Sequence, residues 1–177
     1  MIVDNARTMS PSDSARRVNM RVGVTVAALA IFGGAAVRAG QRTAQPAPRV
    51  VFVCEHGAAK SVVATAYFNK IAAERGLPYR ATFRGTSPQA DLSVSALKGL
   101  REDGIEIPAG KPAAISAEDV SVATHIFAIG CTLPAQARAS GKASDWSDVP
   151  DDQGYAPMRD AIRRHVELLL DELATLR

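Results

Sequence analysis

The chain has 177 residues, which is enough for one compact domain and too few for two domains of ordinary size. Its net charge of +3 is concentrated near the N-terminus. Residues 1–49 hold seven arginines and two aspartates, so the remaining 128 residues carry a net charge of −2. A mildly acidic body with a single tryptophan argues against nucleic acid as a partner, because it offers neither a cationic surface nor a platform for base stacking.

The N-terminal segment has the pattern of a targeting or anchoring sequence. Arg16, Arg17 and Arg21 precede an uncharged run of sixteen residues at 22–37. This run is shorter than the ~20 residues that span a bilayer comfortably, so a cleaved secretory signal is the first interpretation and an uncleaved membrane anchor the second. A start at Met20, which leaves a shorter signal, is a further interpretation.

These features divide the chain into three parts. Residues 1–41 are predicted to be the signal or membrane-anchor segment, residues 42–49 a linker with two prolines, and residues 50–177 the functional domain. We therefore expect export to the periplasm or membrane association through the N-terminal segment, with a cytoplasmic location as the alternative.

The hydrophobic patterning of the body predicts alternating strands and helices. In chain order these are a strand at 49–53, a helix at 60–75, a strand at 79–84, helices at 93–103 and 116–122, strands at 125–129 and 144–146, and a helix at 155–176. Such alternation predicts an α/β fold with a parallel sheet between helical layers, and ligands bind such sheets at the carboxyl ends of the strands.

The segment 50–61 carries the strongest functional pattern. An apolar strand ends on Cys54, small residues follow, and a helix begins at Lys60. Small residues let backbone N–H groups turn inward around an oxyanion, and the N-terminus of the next helix adds partial positive charge, which also favours a thiolate. The pattern predicts a nucleophilic cysteine in an anion-binding loop made of Glu55, His56, Gly57, Ala58 and Ala59.

Two charged residues bear on the catalytic competence of this loop. Lys60 stands where such loops usually carry an arginine, and a lysine is a point charge rather than a planar fork that grips two oxygens at once. Glu55 opposes thiolate formation and anion binding if it points inward, and has no such effect if it faces solvent. His56 is expected to be an oriented loop residue that can also donate to an oxyanion.

The Cys54-(five residues)-Lys60-Ser61 loop after an apolar strand resembles the phosphate loop of low-molecular-weight protein tyrosine phosphatases and of the thioredoxin-coupled arsenate reductases that share their fold. The resemblance extends from about Arg49 to the C-terminus and includes the Arg84-Gly85-Thr86 turn. It implies a flavodoxin-like three-layer fold with a four-stranded parallel sheet in the order 2-1-3-4.

The resemblance also implies roles for individual residues. Cys54 would attack phosphorus to form a phosphocysteine, and Ser61 would hydrogen-bond the sulfur. An aspartate before the last helix would be the general acid. Asp148 is the first choice, because it closely follows Trp146, and Asp151 is the second.

Cys131 ends the third predicted strand and, in the implied sheet order, lies at the same sheet edge as Cys54. Arsenate reductases of this type use three cysteines, whereas this chain has two, so a complete relay is excluded and a Cys54–Cys131 disulfide stays open. A packed, non-reactive Cys131 is the favoured interpretation. No residues have the spacing of metal ligands, and no cofactor is expected.

Three functions follow from these patterns. The first is a cysteine-dependent phosphatase of the tyrosine phosphatase type, whose partners are phosphorylated proteins or small phosphomonoesters. The second is an arsenate reductase-like redox enzyme that uses Cys54 and Cys131. The third, motivated by Lys60 and Glu55, is an oxyanion-binding pseudoenzyme.

Overall fold

The structure is a computed structural model and describes residues 47–176. The predicted signal or anchor at 1–41 and most of the linker lie outside the described residues, so this division of the chain stays a prediction. Among residues 47–176 no helix is long and apolar enough to cross a membrane.

Four parallel strands, numbered in chain order, form the central sheet in the order 2-1-3-4, which confirms the flavodoxin-like prediction. In chain order the elements are β1 (Arg49–Cys54), α1 (Lys60–Glu74), β2 (Arg80–Gly85), α2 (Val94–Glu102), α3 (Ala117–Val122), β3 (Ala123–Ala128), α4 (Ala135–Arg138), β4 (Ala143–Asp145) and α5 (Tyr155–Thr175).

Strand β1 lies at the centre of the fold and is covered on both faces. Val50, Phe52 and Cys54 pack in the core under α1, α2 and α5, whereas Val51 and Val53 pack in the core under α3 and α4. Because successive side chains of a strand point to opposite faces, a strand buried on both sides needs a continuous apolar run. The run from Val50 to Cys54 supplies it and ends the strand on the cysteine.

The structure adds detail that the patterning did not predict. A four-residue helix, α4, follows β3, and it is too short to show a helical period. Strand β3 begins two residues earlier than predicted, at Ala123, because the chain extends directly after α3 ends at Val122 with no loop between them. Strand β4 is an exposed edge strand of three residues and begins at Ala143.

Candidate active site

Cys54 is the last residue of β1, and its thiol is buried at the start of α1. The Sγ atom lies 3.2 Å from the hydroxyl oxygen of Ser61, the second residue of that helix. No side chain caps α1 and no acidic residue lies in its first turn, so its free N–H groups and partial positive charge are directed at the preceding loop. The position and environment suit a thiolate.

The backbone of the loop is held by the segment after β2. The carbonyls of Cys54, Glu55, His56 and Ala58 accept hydrogen bonds from backbone N–H groups of residues 86–93, at distances of 2.8–3.2 Å. In a trans peptide the C=O and the next N–H point in opposite directions. The N–H groups of residues 55, 56, 57 and 59 therefore point away from that segment, as an oxyanion bound by the loop would require.

Two glycines allow this close approach of loop and strand end. A Cβ on Gly57, which has a φ of +61°, would lie 2.8 Å from the backbone nitrogen of Gly85, and a Cβ on Gly85 would lie 2.8 Å from that of Gly57. Side chains would force the two backbones apart at both positions. The Arg84-Gly85-Thr86 turn thus fixes the shape of the anion-binding loop.

The ammonium of Lys60 forms an ion pair with Asp151 at the mouth of the same cavity. Its Nζ lies 2.5 Å from Asp151 Oδ1, and the side chains are 9% and 72% exposed. Lys60 Nζ also covers Gly130, the second residue after β3, where a Cβ would be only 2.5 Å away. The buried cation therefore has one carboxylate partner and occupies space that a glycine leaves open.

Asp148 and Asp151 are separated by the structure. Asp148 is not among the residues that line the cavity, and its carboxylate oxygens are 2.8 and 3.0 Å from Nε2 of His165. That histidine stacks on Trp146, which is buried in the core. Asp148, the first choice for the general acid, is thus bound to His165, whereas Asp151, the second choice, lines the cavity above Cys54. The assignment of the acid stays a prediction.

The remaining loop residues also border the cavity. Glu55 and His56 are exposed residues that line it, and Nδ1 of His56 lies 3.3 Å from the carbonyl oxygen of Ser87. Glu55 is exposed at the cavity, so solvent screens its charge. His56 is oriented by the neighbouring segment, and Ala58 and Ala59 line the cavity floor with Cys54.

The cavity above Cys54 has a volume of about 530 Å³. Besides the loop, it is lined by residues that the sequence analysis did not single out, among them Gly130, Tyr155 and Met158. Gly130 could have been suspected, because it follows a strand at the carboxyl edge of the sheet. Nothing local distinguishes Tyr155 and Met158 from other residues of the last helix.

Cys131 does not share this cavity. It packs against the core under α3 and α4, lines a separate cavity with Thr132 and Arg138, and donates from its thiol to the carbonyl of Val53 at 3.5 Å. Burial raises the pKa of Cys131 to about 11. Both thiols are free, and Cys54 belongs to the core on the opposite face of the sheet. The described residues include no group of three or more His, Cys, Asp or Glu side chains that could hold a metal ion.

The fold and the site together define a class, namely α/β hydrolytic enzymes with a cysteine in an oxyanion loop after the first strand. Residues 49–175 match the family model described as low molecular weight phosphotyrosine protein phosphatase. The chain belongs to that family and is a cysteine-dependent phosphatase, as the phosphate-loop resemblance predicts.

Solved structures show the same fold. YfkJ from Bacillus subtilis aligns at 20% identity with a TM-score of 0.65, over 76% of this chain and 99% of that protein. The low molecular weight protein tyrosine phosphatase from T. tengcongensis aligns at 20% identity with a TM-score of 0.62, over 71% of this chain and 99% of that protein. The thioredoxin-dependent arsenate reductase of Corynebacterium glutamicum aligns at 20% identity with a TM-score of 0.62, over 76% of this chain and 65% of that protein.

Proposed function

We propose that this phosphatase hydrolyses phosphomonoesters through a phosphocysteine on Cys54, with Asp151 as the general acid. The observation that carries the proposal is the convergence of Cys54, the loop residues and the Lys60–Asp151 pair on one cavity. Ser61, whose hydroxyl lies 3.2 Å from the sulfur, would donate to the thiolate.

In the first step the Cys54 thiolate attacks phosphorus, and the bond between phosphorus and the leaving oxygen breaks. Asp151, which has taken up a proton from solvent after the substrate displaced it from Lys60, gives that proton to the leaving oxygen. In the second step water attacks the phosphocysteine, Asp151 takes a proton from the water, and phosphate leaves as the thiolate is regenerated. The loop N–H groups and Lys60 bind the non-bridging oxygens, on which negative charge is held in both transition states.

Asp151 supports this role better than Asp148 because it reaches the cavity. An acid has to lie within hydrogen-bond reach of the leaving oxygen, directly or through one water. Asp151 lines the cavity above Cys54 and is largely exposed, so it is free to turn toward a leaving group there. Asp148 is held at His165 instead.

The test is hydrolysis of phenyl phosphate by the wild type, Cys54→Ser and Cys131→Ser. We expect Cys54→Ser to abolish turnover and Cys131→Ser, a matched loss of one thiol from the opposite face, to keep it. Activity retained by Cys54→Ser would overturn the mechanism. Loss of thiols on incubation with arsenate, abolished by Cys131→Ser, would instead indicate the redox function.

We also propose that the N-terminal segment exports the protein or attaches it to a membrane. The support is the pattern of arginines followed by sixteen uncharged residues at 22–37. N-terminal sequencing of the protein isolated from its native cells tests this. A mature N-terminus near residue 40 is expected for a cleaved signal, and an intact N-terminus in the soluble fraction would contradict both forms of the proposal.

A further inference from the structure

A partly buried carboxylate outside the cavity above Cys54 links three helices. Asp103, the residue that ends α2, accepts hydrogen bonds on Oδ2 from the hydroxyl of Tyr67 in α1 at 2.8 Å and from that of Tyr155 in α5 at 2.6 Å. Its Oδ1 accepts a hydrogen bond from the guanidinium of Arg159 at 3.0 Å. The Asp103 side chain is only 19% exposed, so these bonds hold the carboxylate firmly in one place.

The direction of these hydrogen bonds is set by the protonation states of the groups. Burial of Asp103 opposes its ionisation, but the hydrogen bonds from Tyr155 and Tyr67 and the charge of Arg159 outweigh it, so the pKa of Asp103 lies below its ordinary value of 3.8. Burial and the same carboxylate raise the pKa of Tyr67 to about 12 and also raise that of Tyr155. Both phenols are thus donors at neutral pH.

Helix α5 depends on these contacts at its start. Its N-cap is Gly154, with a φ of +83°, no side chain caps it, and its first turn holds no acidic residue. The usual means of fixing the first turn of a helix are therefore missing. Asp103 holds the first turn of α5 instead, because it accepts hydrogen bonds from Tyr155 and Arg159, which lie one turn apart on the same face of that helix.

Tyr155 connects this carboxylate to the cavity. Its ring packs on Gly99 of α2, where a Cβ would lie 2.2 Å from the ring, and the same residue lines the cavity above Cys54. Only three residues separate Tyr155 from Asp151. A shift of the first turn of α5 would therefore move the segment that carries the proposed acid.

We propose that Asp103 is a positioning residue for the general acid: through the Tyr155 hydroxyl it fixes the first turn of α5 and so places Asp151 over Cys54. This inference rests on the proposed function, since it assigns a role in the same reaction. Asp103 itself touches neither the cavity nor the reacting atoms.

Two conservative variants separate positioning from general stability. Tyr155→Phe removes the hydrogen bond on the cavity side of Asp103 and keeps the ring on Gly99. Tyr67→Phe removes a bond of the same kind to the same oxygen, but Tyr67 does not line the cavity. Asp103→Asn is a third variant. If Asp103→Asn fails to fold, the two phenylalanine variants alone still test the inference.

The readout is the dependence of kcat/KM on the leaving group. Phenyl phosphate needs the acid, whereas 4-nitrophenyl phosphate has a leaving group that departs with little help. We expect Tyr155→Phe and Asp103→Asn to lose about tenfold more kcat/KM on phenyl phosphate than on 4-nitrophenyl phosphate, as a displaced acid would. Tyr67→Phe should keep the wild-type ratio. An unchanged ratio in Tyr155→Phe, or equal changes in both phenylalanine variants, would overturn the inference.

A second readout does not depend on turnover. If the wild type and Cys54→Ser hydrolyse neither ester, the proposed function fails, and hydrogen exchange of a peptide covering residues 150–156 then tests the positioning alone. Tyr155→Phe should speed that exchange several-fold and Tyr67→Phe should leave it unchanged. Equal exchange in the two variants would show that the hydroxyl of Tyr155 does not position this segment.

Discussion

Lys60 Nζ lies 2.5 Å from the Asp151 carboxylate, so the cation of the anion-binding loop is paired with the proposed acid. A substrate oxyanion has to compete with Asp151 for that ammonium. When it succeeds, the carboxylate is released at the mouth of the cavity, where a leaving group would be. Lys60 is thus held in place by its ion pair with Asp151 and by the space above Gly130. It is more than a weaker substitute for an arginine.

The first prediction concerns this competition. Asp151→Asn should lower turnover of phenyl phosphate by about 100-fold, because the acid is lost. It should also strengthen inhibition by inorganic phosphate about fivefold, equal to about 1 kcal/mol, because Lys60 is freed from its partner. Steady-state kinetics with phosphate as a competitive inhibitor measures both.

The control for this prediction is Asp152→Asn, which removes the same charge from the exposed neighbour. We expect it to change phosphate inhibition by less than about twofold, because among the described residues Lys60 pairs with Asp151 and not with Asp152, and solvent screens a charge that is not in contact. Equal effects of the two substitutions would show that overall charge, and not the ion pair, sets the affinity for phosphate.

The second prediction concerns the glycine beneath the ammonium. A Cβ on residue 130 would lie 2.5 Å from Lys60 Nζ, so Gly130→Ala should displace the cation and weaken phosphate inhibition about tenfold. Gly141→Ala is matched to it. Gly141 has a φ of +70°, against +61° for Gly130, and a Cβ there would meet no atom within 4 Å.

Both alanine variants should lose about 1 kcal/mol of stability from the left-handed backbone, measured by chemical unfolding. Only Gly130→Ala should change phosphate inhibition. A similar loss of inhibition in Gly141→Ala would mean that strain and destabilisation, rather than contact with Lys60, cause the effect.

The sequence predicts the local features of this protein and misses its long-range contacts. The strand ending on Cys54, the small-residue loop and the sheet order depend on neighbouring residues or on a resemblance carried by one motif, and the structure agrees with them. The partner of Lys60 depends on the path of the loop between β4 and α5, which no periodicity describes. The sequence therefore does not show which aspartate pairs with Lys60, and it gives no sign of Asp103.

The third prediction concerns the hydroxyl beside the nucleophile. Ser61→Ala should slow the alkylation of Cys54 by iodoacetamide at neutral pH about tenfold, because a hydroxyl that donates to the sulfur favours the thiolate. Mass spectrometry of the two cysteine peptides measures the rate. Cys131 is the internal control, since burial raises its pKa to about 11 and keeps it slow in both proteins. An unchanged Cys54 rate would remove Ser61 from the mechanism.

The last prediction concerns the pH dependence of stability. Asp103 has a pKa below its ordinary value of 3.8 in the folded protein, so its ionised form stabilises the fold. That contribution is present above the unfolded-state pKa and is lost as the pH falls through the folded-state pKa. The Tm difference between wild type and Asp103→Asn should therefore be constant from about pH 5 to pH 7 and shrink below about pH 4.

Asp160→Asn is the control for this prediction, because Asp160 pairs with the same Arg159 but its side chain is 55% exposed. It should change Tm little at any pH. A difference for Asp103→Asn that grows on acidification would contradict the assignment of Asp103 as a partly buried, ionised acceptor.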